Sequence, residues 1–474
     1  MFVFDSKSFC EPKTKSIMMK HKITALFMGL ALLLGFSSCE DYFGDINVNP
    51  NAPIEVPPAV LLPSIEVNLA DVTGGDISRF SSILVNHVRG VARQWSSIDN
   101  YSFIVPSNFD NAWRYNIYAG ILQDARVMKA QAAETGGNYY VAIANVLMAY
   151  TWMMATDVWD AMPYREAFQG TDNLQPAFDS QEFIYSEIDN MLTEAISILS
   201  AGDPGSLVPG SDDLIYGGDA EAWLKAAHAI AARAALHRAL IDANKYYGDV
   251  LTHVADGFTG MADDMRLQYT TNPTSAAPWY RFNRDRTGDI QMAEGDKVAA
   301  LYTIMDNLGD PRLPVYSADF SDFDNHPYFR ADRAYPLITY YEQKFMEAEA
   351  LLMTGGDAAA IHDAFVAGIQ ASFDAMGMSD DAAAYIASVD PGEGNVTMND
   401  IMTQKYIAMY TEPEVYNDWR RTGIPSLTPN SGSTIPYRFP YPTSELTLNP
   451  NNTPQVDGLD AITDPANKVW WDKN

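Results

Sequence analysis

Residues 139–156 read YYVAIANVLMAYTWMMAT, and their pattern indicates the fold of the whole chain. Apolar side chains recur at steps of three and four residues, at Tyr140, Ile143, Ala144, Leu147 and Tyr150. This spacing places them on one face of an α-helix, because the helix turns once every 3.6 residues. We therefore predict a helix that buries this face against a neighbour.

Similar helical patterns occur along most of the chain, at 60–69, 77–93, 111–133, 181–200, 220–243, 296–307, 340–354, 358–376 and 398–410. We predict that 111–133 pairs with 139–156, and 181–199 with 220–243, as helical hairpins similar to tetratricopeptide units. No strict repeat of about 34 residues fits the chain. The predicted fold class is mainly α, with tetratricopeptide-like helical hairpin repeats and long irregular loops.

Long irregular stretches separate these helices, at 202–218, 257–295, 310–335 and after residue 411. Loops of this length in a compact protein usually serve a function. We therefore look for the binding site in the loops.

The start of the chain resembles a lipoprotein leader. Lys20 and Lys22 precede an apolar run over 23–36, which is too short to span a bilayer and has the length of a signal-peptide core. Ser37-Ser38-Cys39 follows as a lipobox, so we expect Cys39 to become the lipidated first residue of an exported protein. The alternative is an ordinary secretory signal with an incidental Cys39. Residues 1–17 fit no part of a leader, and Met18 or Met19 makes a better start.

Three regions follow from this interpretation: a signal peptide over 1–38, a lipidated tether over 39–58 and a nutrient-binding domain over 59–474. The tether contains turn formers and prolines but no periodic apolar face. No later apolar run is expected to reach the length of a membrane-spanning helix. The lipid is therefore the predicted anchor.

The composition excludes two classes of protein. The net charge is −30, and removal of the leader makes the remainder about −33. Such a surface repels phosphate backbones, so a nucleic-acid partner is not expected. The two cysteines, Cys10 and Cys39, go to the leader and the lipid, so neither a disulfide nor a cysteine metal site is expected.

Ordered short motifs resemble those of the SusD/RagB family, and within it the SusD-like lipoproteins. They are DINVNPN at 45–51, TDVWDAMPYREA at 156–167, PAFDSQEFIY at 176–185, DLIYGGD at 213–219, DPRLP at 310–314, WRRTGIP at 419–425, IPYRFPYP at 435–442 and VWWD at 469–472. Asp160 departs from the glycine that the family usually has, which leaves the shape of that turn open.

The resemblance implies a surface-exposed outer-membrane lipoprotein of Bacteroidota-type bacteria, with a mostly helical fold. Such proteins cap a SusC-like TonB-dependent transporter and deliver nutrients to it, most often oligosaccharides. Glu40-Asp41, directly after Cys39, matches the acidic export signal of these lipoproteins. The same scaffold binding peptides or another nutrient, and a surface glycoside hydrolase, remain as alternatives.

Catalytic and metal motifs are not evident. The sequence contains no His-Glu-x-x-His pattern, phosphate loop or Gly-x-Ser-x-Gly elbow. A calcium site at Asp212-Asp213 or in the 390–400 loop is an alternative to a solvated loop, although neither has EF-hand spacing. We expect a protein that is not an enzyme and that uses neither a cofactor nor a metal.

Aromatic residues in two loops suggest a glycan site. Sugar rings stack their C–H faces on aromatic rings, while their hydroxyls need polar partners. Two clusters combine both properties, and the candidate residues are Trp95, Asn100, Tyr101, Trp279, Tyr280 and Arg281. The alternative is that these aromatics are anchors that pack the loops onto the helices. Trp470 and Trp471 are expected to hold down the C-terminal tail.

Replacement of the predicted lipid site should release the protein. The Cys39→Ala variant should be unlipidated and absent from the membrane fraction, because no other anchor is predicted. Fractionation in a strain that lacks the transporter is the measurement. Full retention of the variant in the outer membrane there would disprove the lipoprotein interpretation.

Overall fold

The structure is a computed structural model and describes residues 56–473. Cys39, the predicted leader and most of the predicted tether lie outside the described residues. The described chain is mainly helical, which confirms the predicted fold class.

Eighteen α-helices are distinguished within the described range: α1 Pro58–Val72, α2 Ser78–Leu84, α3 Arg93–Asp99, α4 Asp124–Thr135, α5 Asn138–Trp159, α6 Gln181–Ala201, α7 Ala220–His237, α8 Ala243–Ala255, α9 Pro278–Asp285, α10 Ala300–Leu308, α11 Leu313–Tyr316, α12 Tyr340–Thr354, α13 Ala358–Ala375, α14 Ser379–Val389, α15 Met398–Ala408, α16 Glu414–Thr422, α17 Thr443–Leu448 and α18 Leu459–Ile462. A π-helical segment, Ala112–Gln123, leads directly into α4, and a shorter one, Thr73–Ile77, joins α1 to α2.

Within residues 56–473, short strands form three antiparallel two-stranded pairs. The strands are β1 Arg89–Gly90, β2 Met265–Leu267, β3 Ile290–Gln291, β4 Ala293–Glu294, β5 Lys297–Val298 and β6 Tyr335–Ile338. β1 pairs with β3, β2 with β6, and β4 with β5. The β2–β6 pair joins two of the long irregular stretches and gives them a fixed register, with Leu267 opposite Tyr335.

Successive helices pack as the sequence predicted. α4 packs on α5, α5 on α6, and α6 on α7, and α12 and α13 form a further pair. Side-chain caps define several of these helices: Ser180 accepts the Phe183 N–H at the start of α6, and Thr339 accepts the Glu342 N–H at the start of α12. The predicted hairpin pairs are therefore confirmed.

Helix α5 is the central helix of the core. It is long and apolar enough to span a membrane, so the expectation that no such run follows the leader is wrong. However, its 18-residue apolar window is entirely buried by the rest of the chain. A core helix of a water-exposed domain has this composition when neighbours cover it on every side.

Several predicted segments have a different structure, and the stretch after residue 411, predicted as irregular, contains α16, α17 and α18. Residues 77–93 were predicted as one helix, but α2 ends at Leu84 and Asn86 adopts a φ of 57°. The chain then approaches α3 so closely that a Cβ on Gly90 would lie 2.0 Å from the Trp95 carbonyl oxygen. Residues 278–284 were predicted as irregular, but they form α9, in which Pro278 occupies the first turn.

The turn after α5 keeps a glycine-like conformation despite its aspartate. Asp160 has a φ of 65° and a ψ of −120°, a region that costs a residue with a Cβ on the order of 1–3 kcal/mol. Its Oδ1 accepts the Trp470 N–H at 2.8 Å. The side chain that strains the turn therefore also binds the C-terminal tail.

A network of buried polar side chains surrounds Asp157. Its carboxylate accepts hydrogen bonds from the Tyr185 hydroxyl at 2.6 Å and the Trp471 indole N–H at 2.7 Å. His237 lies between Asp157 and Glu414, at 3.1 Å and 2.5 Å. Trp471 is fully buried, so the expectation that the terminal tryptophans hold the tail is confirmed for this residue.

The charge on His237 is set by this network. Burial alone would lower the pKa of His237, but Glu414 and Asp157 outweigh that effect and raise the pKa to about 9. A histidine whose pKa is higher in the folded state than its ordinary 6.5 stabilises the fold below pH 6.5. That contribution is lost as the pH rises through 9.

Removal of this histidine should therefore change stability in a pH-dependent way. His237→Gln should lower the free energy of unfolding by a few kcal/mol at pH 6, and the deficit should shrink between pH 6.5 and 9. Urea unfolding across that pH range measures it. His228→Gln is the control, because the pKa of His228 is lowered by burial and by His253. A His237→Gln deficit that is constant with pH would contradict the assignment of a charged His237.

Candidate functional site

Trp279 lies at the start of α9, and the structure buries it. Its side chain is 4% exposed, and its indole N–H donates to the Ser78 hydroxyl at 2.8 Å. The ring stacks on Phe329, with centroids 4.8 Å apart and an interplanar angle of 15°. The expectation of an exposed Trp279 is therefore not met, and the packed-anchor alternative describes its surroundings.

Tyr280 and Arg281, the next two predicted residues, are only partly buried. The Tyr280 hydroxyl donates to Asp324 at 2.7 Å. Arg281 donates to Asp71 at 2.7 Å, and the Tyr269 hydroxyl donates to the same oxygen at 2.7 Å. Asp71 therefore fixes the direction in which the Arg281 guanidinium points.

The other predicted cluster, around Trp95, is mainly internal. Trp95 is 4% exposed, and the hydroxyl of the buried Tyr101 accepts the Asn430 N–H at 2.9 Å. Asn100 is exposed, and its Oδ1 accepts the Ser102 N–H at 3.1 Å. In this structure, Trp95 and Tyr101 thus attach their loop to the body of the protein and do not present a ring face to solvent.

The two predicted clusters meet in space. The Trp95 ring contacts the Phe282 ring edge-on at 5.1 Å. The Arg79 guanidinium lies 4.7 Å from the Phe282 centroid and 5.9 Å from the Trp95 centroid. Segments about 180 residues apart in sequence therefore contribute to one surface, although ligand binding by the six predicted residues stays a prediction.

A pocket open to solvent lies beside α9, and we call it the α9 pocket. Its cavity volume is ≈ 400 Å³. Its polar side chains come from α1, the 73–79 region, the π-helix Ala112–Gln123, α9 and the residue after α9. They are Asp71, Asp76, Arg79, Asn116, Arg281, Asp285 and Arg286. Phe282 supplies an aromatic ring at the same surface. Carboxylates, an amide and guanidinium groups beside a ring can hydrogen-bond sugar hydroxyls and stack a sugar face.

Sequence reasoning missed most of this pocket. Asp71 and Arg79 lie in or beside predicted helices, where charged residues usually face solvent without a ligand. Phe282 belongs to the aromatic cluster on α9, but the larger Trp279 was the predicted residue. Tyr115, which is 61% exposed and next to Asn116, lies within a predicted helix and was not a predicted site residue.

The described residues contain no group of three or more His, Cys, Asp or Glu side chains arranged to hold a metal ion. His228 and His253 form a close pair, with their Nδ1 atoms 3.1 Å apart, but no third ligand accompanies them in residues 56–473. Within this part of the chain, Asp213 uses its carboxylate to accept backbone N–H groups of its own loop and the Trp223 indole N–H.

Comparison with known proteins gives a family match in sequence and fold matches among solved structures. A SusD-like family model, described as starch-binding associating with outer membrane, matches residues 50–332 and 325–442. No curated protein matches the chain in sequence.

Solved structures show the same fold. A SusD/RagB family protein from Bacteroides thetaiotaomicron VPI-5482 has 24% identity and a TM-score of 0.71, covering 88% of this chain and 99% of that chain. A chitin-binding protein has 20% identity and a TM-score of 0.71, covering 88% and 100%. A SusD homolog from Bacteroides fragilis NCTC 9343 has 18% identity and a TM-score of 0.70, also covering 88% and 100%.

Truncation of the buried tryptophans should reduce stability. Trp279→Ala and Trp95→Ala should each lower the free energy of unfolding by about 3–5 kcal/mol, because each leaves a cavity in packed aromatic surroundings. Chemical denaturation measures this change. Tyr115→Ala is the matched control, and its exposed ring should cost about 0.5 kcal/mol or less. Stability unchanged in both tryptophan variants would contradict their role as anchors.

Proposed function

This chain belongs to the SusD-like family of starch-binding proteins that associate with the outer membrane, and on that premise we propose that it binds glycans at the cell surface. In this proposal it passes them to a SusC-like TonB-dependent transporter. Cys39 carries the lipid that anchors it to the outer membrane. The family match over residues 50–442 is the observation that supports the proposal most strongly.

The α9 pocket is the proposed glycan site. Sugar hydroxyls both donate and accept hydrogen bonds, so a site for them needs hydrogen-bond acceptors and donors side by side. The pocket offers Asp76 and Asp285 as acceptors, and Arg281 and Arg286 as donors. The ion pair between Arg281 and Asp71 holds one donor in place before the ligand arrives, which lowers the entropy cost of binding.

The tether gives the binding domain room to act above the membrane. Sixteen residues, 40–55, lie between Cys39 and Val56, where the described chain begins. A fully extended segment of this length reaches at most about 60 Å. The lipid therefore restrains the domain to the membrane surface while allowing it to approach a transporter.

Binding without turnover is the proposed activity. Purified residues 40–474 should bind starch or chitin oligosaccharides in calorimetry and release no shorter products from them. Product release would favour the hydrolase alternative. Binding of peptides with no glycan binding would favour the peptide alternative.

Removal of one donor should weaken binding without unfolding the protein. Arg281→Gln should lower the affinity for a bound oligosaccharide roughly tenfold, because a charged hydrogen bond contributes about 1.5–3 kcal/mol. Isothermal calorimetry and the melting temperature are measured together.

Arg126→Gln, an exposed arginine on α4 that does not line the pocket, is the matched control. An affinity that is equal in Arg281→Gln and the unaltered protein would reject the α9 pocket as the site. Loss of affinity in the control as well would attribute the effect to overall charge.

A further inference from the structure

A second pocket is lined by the segment that follows Phe329, between Arg330 and Pro336. Its cavity volume is ≈ 330 Å³, and it opens to solvent. Three arginines line it, Arg266 from β2 and Arg330 and Arg333 from the segment before β6. Pairing of β2 with β6 holds these arginines together. We call this the arginine pocket.

The charge of the arginine pocket is opposite to that of the chain. The whole sequence has 61 acidic residues against 31 lysines and arginines. The ionisable side chains of the pocket, Tyr341 aside, are three arginines and two aspartates, Asp264 and Asp332. A positive pocket on so acidic a protein attracts an anion locally, since charges more than about 8 Å away are screened at physiological salt.

Arg333 has the strongest geometric case for binding a ligand. Its guanidinium carbon lies 3.7 Å from the centroid of the buried Tyr328 ring, so an aromatic surface holds its plane. Among residues 56–473, no carboxylate oxygen lies within 4.0 Å of its nitrogens. Its hydrogen-bond donors are therefore oriented by the ring and make no direct ion pair with a carboxylate of the described chain, and the buried Glu412 acts on Arg333 only at longer range.

The other two arginines are only weakly paired. Arg330 lies 3.3 Å from Asp332, and both side chains are largely exposed, at 61% and 47%. Arg266 lies 4.0 Å from Asp264. The exposed Arg330–Asp332 pair contributes little and is easily replaced by a better oxyanion partner. Arg266 is itself half exposed, and its separation from the buried Asp264 is at the limit of an ion pair.

Asp264 opposes anion binding less than its charge suggests. Its Oδ1 accepts the Tyr340 N–H at 2.7 Å, and the side chain is buried behind Arg266. Burial raises the pKa of Asp264 to about 7, although the Tyr340 N–H and Arg266 act in the other direction. Near neutral pH this carboxyl therefore carries only part of a negative charge.

We propose that the arginine pocket binds the oxyanion group of an acidic saccharide, a carboxylate or a sulfate ester. Guanidinium groups match the planar oxygen pair of a carboxylate and also bind sulfate oxygens. That the anion belongs to a sugar rests on the proposed glycan-binding function. The anion selectivity itself rests only on the geometry of the three arginines.

The experiment uses three probes on the same protein: trigalacturonate for carboxylate, a sulfated carrageenan tetrasaccharide for sulfate, and maltotriose as the neutral sugar. At least one acidic probe should bind more tightly than maltotriose, with an affinity that falls as salt is raised. Arg333→Met and Arg330→Gln should each weaken that binding roughly tenfold. Arg126→Gln should not change it, and maltotriose binding should be equal in all variants.

Several outcomes would overturn the inference. They are failure of both acidic probes to bind better than maltotriose, or unchanged affinity for them in Arg330→Gln and Arg333→Met. Arg330 is exposed, so its variant tests the pocket even if Arg333→Met does not fold. Maltotriose binding that depends on Arg281, with neither acidic probe binding more tightly, would refute this inference and leave the proposed function intact. Acidic binding that depends on Arg333 but not on Arg281 would support the arginine pocket, and maltotriose binding that is unchanged in Arg281→Gln would refute the α9 pocket.

Discussion

The rest of the fold depends on the hydrogen bonds that the buried Asp157 carboxylate accepts. A buried carboxylate without partners costs several kcal/mol, so this residue is stable only when its donors are in place. The donors come from separate parts of the chain: Tyr185 on α6, His237 on α7 and Trp471 in the tail. The helices and the tail must therefore come together for any of them to be satisfied.

A second buried network attaches the later helices to the same centre. Arg233 on α7 pairs with Glu342 on α12, and Arg421 on α16 pairs with Glu349 on α12. Lys405 on α15 lies 2.7 Å from Asp418 on α16. Removal of one member would leave a buried charge alone, which is far more costly than loss of a surface pair. These paired charges make the helical body a rigid support for the irregular segments.

Both proposed pockets lie where irregular segments cross this support. The α9 pocket lies between α9 and the end of α1, and the arginine pocket lies beside the β2–β6 pair. Pro278 borders the α9 pocket, and Arg333 borders the arginine pocket. Both residues also line a smaller aromatic cavity, together with Trp279 and Phe329. The buried aromatics thus set the positions of the polar side chains around them, without offering an exposed ring of their own.

The sequence by itself determined the helical class, the hairpin pairs, the lipobox pattern and the family resemblance. Local periodicity and short motifs contain that information, because a helix face is defined by residues three and four apart. The Tyr340–Thr354 helix was predicted to its exact ends, since Thr339 caps it and Gly355 terminates it. Burial of Trp471 likewise followed from its place in a terminal motif.

Only the tertiary structure decided which loop residues are exposed. Trp279 is buried because Ser78 and Phe329, which are distant in sequence, surround it, and Trp95 is buried because Phe282 and Phe80 do. The arginine pocket similarly joins Arg266 to Arg333 through strand pairing. Such contacts depend on how packed helices bring together loops that are far apart in sequence. A local sequence pattern contains no information about that proximity.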